Sequence, residues 1–142
     1  MNSITLSRTI DASPERVREA IEELEPFMEA SGFDDVTVDG RMIHVANHMG
    51  FATIELTLEI VDDPGAFLAY EQREGIFSEM RTTYEVQSTN GGTEIEAMTE
   101  FELDVAIVGN ILDSTVIRRQ RRKELTAQFE WLEEVCNNSA AE

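Results

Sequence analysis

Hydrophobic and polar residues alternate in the first ten residues and again through most of the chain between residues 35 and 104. In the first stretch Ile4, Leu6 and Ile10 fall on one side and small polar residues on the other, which predicts a half-buried strand. In the second stretch the alternating runs are separated by turn-forming pairs such as Asp39-Gly40 and Asn90-Gly91. The runs predict six further strands, over residues 36–38, 41–48, 51–61, 67–74, 79–88 and 93–104.

The Asn90-Gly91 turn predicts a register for the last two strands. A two-residue loop pairs Thr89 with Gly92. Counting outward, Val86 pairs with Ile95, Tyr84 with Ala97, Thr82 with Thr99, and Met80 with Phe101, and these four pairs lie on one face. The other face of the second strand carries mainly glutamates, so the turn and the hydrophobic pattern indicate the same hairpin.

Two short helical segments are predicted after the first strand. Ser13 followed by Pro14 is typical of a helix start, and the apolar residues up to Leu24 have helical spacing. We expect this helix to end near Glu25, because Pro26 disfavours helical backbone at the residue before it. Residues 27–33 then form a second short helix or a loop that ends around Gly32.

Helical spacing returns at about Ala106 and continues to about Cys136. The apolar stripe consists of Ile107, Ile111, Leu125, Phe129, Leu132 and Cys136. A helix of roughly 30 residues is about 45 Å long, enough to cover one face of a sheet. A sheet that is apolar on one face needs such a cover, so the order β-α-α-β6-α predicts an α+β fold with a seven-stranded antiparallel sheet. With 142 residues, 42% of them hydrophobic, we expect a single domain over residues 1–142.

This order of elements resembles the START-like, helix-grip superfamily, also called SRPBCC, which includes polyketide cyclases and dehydratases and lipid-transport-like proteins. The local signs are residues 9–17 (TIDASPERV) at the first strand-to-helix junction and residues 129–132 (FEWL) near the end of the last helix. The resemblance implies a curved sheet wrapped around the C-terminal helix, with a deep and mostly apolar cavity between them. These signs carry no catalytic residues, and the fold does not determine the ligand.

The charge of the chain limits its partners. There are 29 acidic and 11 basic residues, and the net charge of −18 argues against nucleic-acid binding because the field repels phosphate. Only one of the basic residues is a lysine, Lys123. An acidic, lysine-poor surface is typical of a salt-rich cytoplasm, in which screening suppresses self-repulsion. We expect a cytoplasmic, halophilic protein, with an acidic protein from a mesophile as the alternative. We expect no signal peptide, because the N-terminus lacks a basic start followed by an apolar stretch, and no membrane anchor, since no apolar run is long enough to span a bilayer.

Several polar side chains fall on the predicted inner face of the sheet. Tyr70, Thr82, Tyr84 and Thr99 bring hydroxyl groups to a face that is otherwise apolar. A few polar groups in an apolar cavity are typical of small-molecule sites, although a filled core with paired hydroxyls explains the pattern equally well. Together with apolar neighbours, they form a candidate ligand cavity of Tyr70, Met80, Thr82, Tyr84, Thr99, Phe101 and Ile111.

Two arginines complete the candidate cavity. On a helical wheel Arg118 falls at the centre of the apolar stripe and Arg122 within about 40° of it, while Arg119, Arg121 and Lys123 point away. Arg118 and Arg122 then either meet a carboxylate, phosphate or carbonyl of a ligand, or form an internal ion pair with Glu74 or extend to the surface. The internal pair or a surface position is the favoured interpretation.

No metal or cofactor is expected. His44 and His48 share the outer face of one strand, but about 13 Å apart, which is too far to hold one ion. The single cysteine, Cys136, excludes an intramolecular disulfide and has no histidine near it in sequence, so nucleophilic catalysis is a weak hypothesis.

The leading functional hypothesis is non-catalytic binding or transport of an apolar small molecule such as a lipid, isoprenoid or quinone. The alternative enzyme is a polyketide cyclase or dehydratase in which Tyr70, Tyr84 and Arg118 act on a carbonyl group. A third possibility is an interaction module without an enclosed ligand. The sequence does not identify the ligand or the oligomeric state.

Overall fold

A computed structural model describes residues 1–49, 52–104 and 114–140. Seven antiparallel strands form one curved sheet in the order β1-β7-β6-β5-β4-β3-β2. The strands are β1 (Asn2–Ile10), β2 (Asp35–Asp39), β3 (Met42–Met49), β4 (Ala52–Ile60), β5 (Leu68–Glu74), β6 (Phe77–Thr89) and β7 (Gly92–Leu103). Helices α1 (Pro14–Glu22) and α2 (Leu24–Glu29) follow β1, and the long helix α3 (Ser114–Ala140) follows β7. The predicted helix-grip arrangement is confirmed.

The β6–β7 hairpin has the predicted register. Thr89 pairs with Gly92, Thr82 with Thr99, and Met80 with Phe101. Gly91 has a φ of 100°, which glycine adopts without the steric cost that other residues meet. The inner-face residues of both strands alternate with more exposed ones, and Tyr84, Ile95, Ala97 and Phe101 are fully buried.

The β2–β3 hairpin differs from the prediction by one residue. Asp39 pairs with Met42, so the loop is Gly40–Arg41 rather than Asp39–Gly40. This register places Val38 opposite Ile43 instead of opposite an arginine. The packing of aliphatic side chains across the two strands accounts for the shift.

Helix α1 begins as predicted, and its end is different. The Ser13 side chain accepts a hydrogen bond of 3.2 Å from the Arg16 backbone N–H, as an N-cap residue does. The helix ends at Glu22, and Glu25, predicted as the last helical residue, lies within α2. Pro26 occupies the first turn of α2, where its missing N–H would have no partner within the helix, so the proline starts a helix rather than ending one.

Helix α3 lies over the inner face and packs against β1 and α1, with further contacts to α2 and β7. Leu125, Phe129, Leu132 and Cys136 are buried, as the apolar stripe predicts. They join a core that includes Val17 from α1 and residues from both β1 and α2. Residues 106–113, predicted to be the first part of this helix, lie outside the described residues, and so do Ile107 and Ile111.

The outer face of the sheet is charged and exposed. Arg81 bridges Glu71 and Asp63, and Arg73 lies 2.5 Å from Glu59. His44 and His48 are exposed on this face, as predicted. Among the described helices, none is both long enough and apolar enough to cross a membrane.

Candidate ligand site

A small cavity lies between strands β3 and β4, the β5–β6 turn and the first half of helix α3. Seven of its lining residues are apolar: Phe33, Val45, Ile54, Leu56, Ile76, Phe77 and Ile117. Four are polar and three of these come from the helix: Asn47, Gln120, Arg121 and Glu124. The volume of the cavity that the centre of a water-sized sphere can occupy is about 20 Å³. The cavity therefore has room for about one water molecule. Wider depressions on the outer face, such as the one between Glu71 and Glu100, have charged walls and are open.

The turn between β5 and β6 forms one wall of this cavity and is fixed by a single side chain. The Gln72 side chain accepts a hydrogen bond of 3.1 Å from the Phe77 N–H and donates one of 2.7 Å to the Phe77 carbonyl. Gly75 lies between them, where an added Cβ would overlap both the Gln72 side chain and Leu56. The glycine therefore permits a tight turn that brings Phe77 to the cavity.

The polar end of the cavity is an ion pair within helix α3. Arg121 Nη1 donates to Glu124 Oε1 at 2.5 Å, and both side chains are about 95% buried. The second carboxylate oxygen of Glu124 accepts a bond of 3.1 Å from Gln120. A buried carboxylate with both oxygens bonded and a neighbouring guanidinium meets the condition under which burial of a charge is tolerated.

Two threonines of the β6–β7 hairpin hold the other side of the guanidinium. Arg121 Nη2 donates to the hydroxyls of Thr82 and Thr99 at 3.1 Å each, and the two hydroxyls are 2.9 Å apart. Thr82 also donates to the Met80 sulfur at 3.6 Å. Every bond is satisfied if Thr99 donates to Thr82 and Thr82 to Met80. The threonines thus fix the guanidinium against the sheet.

One donor of this guanidinium has no acceptor. The Nε of Arg121 is buried and has no hydrogen-bond partner among the described residues. Burial by itself lowers the pKa of Arg121, but attraction to the Glu124 carboxylate and the hydrogen bond to it raise the pKa, which lies above the ordinary value. The group therefore stays protonated, and its Nε–H remains a donor.

A second buried polar chain lies deeper in the core. The Tyr84 hydroxyl donates to Gln128 Oε1 at 2.7 Å and lies 3.1 Å from the Tyr70 hydroxyl. The Gln128 amide nitrogen in turn donates to the Phe27 carbonyl at 3.4 Å. Burial and, after it, the neighbouring Tyr70 raise the pKa of Tyr84 well above its ordinary value. Tyr84 therefore stays protonated at neutral pH and serves as a fixed donor.

The structure brings most of the predicted inner-face residues together without placing them in the cavity wall. Tyr70 and Tyr84 form the chain just described, and Thr82 and Thr99 hold Arg121. Met80 and Phe101 are buried beside them, and the Phe101 ring packs edge-on against Phe77 at 5.3 Å between centroids. Ile111 lies outside the described residues.

The predicted orientation of the basic cluster is wrong. Arg122 is exposed, Arg118 is half-buried with one weak bond of 3.4 Å to Asn2, and the buried arginine is Arg121. The acid that pairs with Arg121 is Glu124, whereas Glu74 is exposed. The apolar stripe misplaces the centre of the buried face by about 50°, because three of the eight buried side chains on the described part of the helix are polar. Arg121, Glu124 and Gln128 are spaced three and four residues apart along it.

Several cavity residues were missed for the same reason. Gln120, Arg121 and Glu124 are polar, and an apolar stripe does not include them. Asn47 follows Ile43 and Val45 at every second residue of β3, so the alternation itself places it on the inner face. The i,i+3 spacing of Arg121 and Glu124 was a second usable signal, since it allows an ion pair within one helix.

The described residues include no group of three histidine, cysteine or acidic side chains that could hold a metal ion. Cys136 is fully buried near the end of α3. Burial raises the pKa of its thiol, and Arg16 only partly offsets this. A buried thiol with a raised pKa is a poor nucleophile.

Comparison with known proteins agrees with this architecture. Residues 1–136 match a family model described as polyketide cyclase / dehydrase and lipid transport. No curated protein sequence matches the chain.

Solved structures share the fold at low sequence identity. A Thermus thermophilus protein superposes with a TM-score of 0.74 at 18% identity, covering 97% of this chain and 99% of that one. A START superfamily protein from Mycobacterium smegmatis gives 0.74 at 9% identity, with 96% and 97% covered. The Zhui aromatase/cyclase from a Streptomyces species gives 0.69 at 15% identity, with 93% of each chain covered.

Proposed function

The chain belongs to the polyketide cyclase/dehydrase and lipid transport family, and we propose that it binds an apolar small molecule between the sheet and the first half of helix α3. The observation that carries this proposal is the composition of the cavity. Its walls are aliphatic and aromatic, and buried polar side chains stand at one end. Small-molecule sites are built in this way, because apolar area supplies affinity and a few polar groups set the orientation.

The cavity must widen to accept such a ligand. It has room for about one water molecule, whereas typical ligand sites enclose roughly 300–1,000 Å³. Phe33 and Ile76 are only partly buried, so they form the rim of the cavity. We place the entrance there, where movement of these side chains exposes Ile54 and Leu56 without opening the rest of the core.

Binding is favoured over the cyclase-like alternative by the state of the tyrosines. The Tyr84 hydroxyl donates its one hydrogen to Gln128 and also contacts the Tyr70 hydroxyl, so it has no hydrogen left for a substrate carbonyl. Arg118, the third group of that alternative, faces Asn2 instead. Turnover of an aromatic polyketide precursor that is lost in Tyr84→Phe would reverse this preference.

The test uses an uncharged fluorescent probe, N-phenyl-1-naphthylamine, in a titration of the purified protein. We expect saturable binding that is lost in Ile54→Trp, which fills the cavity, and kept in Thr53→Trp, the neighbouring exposed position on the other face of β4. Native mass spectrometry of the wild type, with extraction of any bound molecule, does not depend on either variant folding. Absence of probe binding and of any co-purified apolar molecule would overturn the proposal and favour an interaction module.

A further inference from the structure

Among the described residues of the cavity wall, Arg121 carries the one fully buried polar side-chain atom that has no hydrogen-bond partner. Its Nη1 is bonded to Glu124 and its Nη2 to Thr82 and Thr99, but its Nε has no acceptor among the described residues. An unpaired buried donor costs free energy, and this one belongs to a charged group, for which the cost is largest. The Arg121 side chain lines the cavity, so the widening that ligand entry requires would let an acceptor approach this buried donor.

The surroundings of Arg121 restrict the charge of that acceptor. Glu124 already neutralises the guanidinium, and no further basic side chain lines the cavity in the described part of the chain. A ligand carboxylate would bring a second negative charge into a low-dielectric site, next to Glu124, without a second cation. A neutral carbonyl oxygen would accept the bond without this penalty.

We infer that the ligand is an uncharged apolar molecule carrying a carbonyl group, whose oxygen accepts a hydrogen bond from Arg121 Nε. This inference rests on the proposed function and names the class of molecule that the site selects. Thr82, Thr99 and Glu124 act as positioning residues, because they hold the other nitrogens of the guanidinium and leave Nε as the donor that remains. The aliphatic walls hold the remainder of the ligand.

Three probes of one shape test this inference by isothermal calorimetry on the wild-type protein. They are 2-acetylnaphthalene, which has the carbonyl, 2-isopropenylnaphthalene, in which a CH₂ group replaces its oxygen, and 2-naphthoate, which is anionic. A hydrogen bond to a charged donor predicts about tenfold tighter binding of the ketone than of the alkene. The carboxylate is expected to bind more weakly than the ketone. Equal binding of ketone and alkene, or tightest binding of the carboxylate, overturns the inference and leaves apolar binding intact.

Variants then test whether Arg121 is the donor of the hydrogen bond to the ligand carbonyl. The double variant Arg121→Met/Glu124→Leu removes both charges at once, so that no buried ion is left unpaired. We expect the preference for the ketone over the alkene to fall from about tenfold to about onefold, with alkene affinity retained. The matched control, Arg119→Met/Glu130→Leu, removes an exposed base and an exposed acid from the same helix and should keep the preference.

An infrared measurement on the wild type is independent of any variant. The carbonyl stretch of bound 2-acetylnaphthalene should lie at lower wavenumber than in an apolar solvent, because hydrogen bonding weakens the C=O bond. An unshifted band with a bound ketone contradicts the inference. Failure of all three probes to bind contradicts the inference and the proposed function together.

Discussion

The two halves of helix α3 are buried to the same degree by different means. In the second half Phe129, Leu132 and Cys136 are at most 1% exposed and pack in the apolar core. In the first half Arg121 and Glu124 are 5% and 3% exposed, yet they are held by hydrogen bonds beside a cavity. Burial alone therefore does not distinguish a region that fills the core from one that borders a cavity.

The difference has a physical basis. Apolar packing is non-directional, and every atom brought into contact adds to the stability of the fold. A filled core therefore contains few empty spaces. A polar network depends on geometry and can leave one donor without a partner, as Arg121 does. We therefore assign stability mainly to the second half of the helix, and the first half is the part that the proposed function assigns to ligand recognition.

The largest expected effect is on the packed half. Phe129→Ala should lower the free energy of unfolding by about 3–5 kcal/mol, because it removes a ring from the filled core. Ile117→Ala should cost only about 2 kcal/mol, since Ile117 already borders unfilled space. Urea unfolding of both variants at the same salt concentration measures this, and equal costs would remove the contrast between the two halves.

Breaking the buried ion pair should have the next largest effect on the free energy of unfolding. Arg121→Met should cost about 3 kcal/mol, because it leaves the Glu124 carboxylate buried without its cation. Adding Glu124→Leu should recover most of this loss. Arg118→Leu should change stability by about 0.5 kcal/mol or less, since its described bond is long. A larger loss of stability for Arg118→Leu than for Arg121→Met would mean that the helix is rotated about its axis so that Arg118, and not Arg121, is buried.

The salt dependence of stability should differ between the charged surface and the buried ion pair. With a net charge of −18, we expect the melting temperature to rise by several degrees between about 0.1 M and about 3 M potassium chloride, as screening reduces repulsion. The cost of Arg121→Met should be the same at both concentrations, because the pair is buried. A melting temperature independent of salt would remove the halophilic interpretation of the acidic surface.

The smallest expected effect concerns Cys136 and pH. Its pKa is raised in the folded state, so the unfolded chain loses this proton first, and folding stability falls as pH rises above about 8.5. The loss is at most about 1.4 kcal/mol per pH unit and continues until pH passes the folded-state pKa. Below pH 8 we expect Cys136 to make no contribution to the pH dependence of folding stability. Unfolding titrations at pH 8 to 10 measure the slope, which should be shallower in Cys136→Ala.

The sequence predicted those parts of the fold in which local chemistry and hydrophobic pattern agree. The β6–β7 register followed from Asn90-Gly91 together with the alternation on either side. The β2–β3 loop was displaced by one residue, because Asp39-Gly40 is compatible with two registers and only the pairing of Val38 with Ile43 decides between them. Such cross-strand packing is not visible in a turn motif.

The candidate site was less accessible to sequence reasoning. Tyr70, Thr82, Tyr84 and Thr99 were expected on the inner face, and all four are buried there. Their partner could not be identified from an apolar stripe, because Arg121 owes its burial to Glu124 and the threonines rather than to hydrophobicity. Polar burial depends on contacts between distant segments, which only the folded chain specifies.

The close approach at Gly75 has a consequence for attempts to re-engineer the site. Any side chain at this position would press on Leu56, which is itself part of the cavity wall, and on the Gln72 side chain that fixes the turn. A side chain at position 75 would therefore compete with the side chain at position 56 for the same space. A smaller residue at 56 would remove only one of these two overlaps, because the overlap with Gln72 remains. Gly75 also has a φ of 153°, which residues other than glycine adopt only with strain, so alanine at 75 stays unfavourable. Selection for ligands of a different size should therefore recover substitutions at Leu56 and keep glycine at 75.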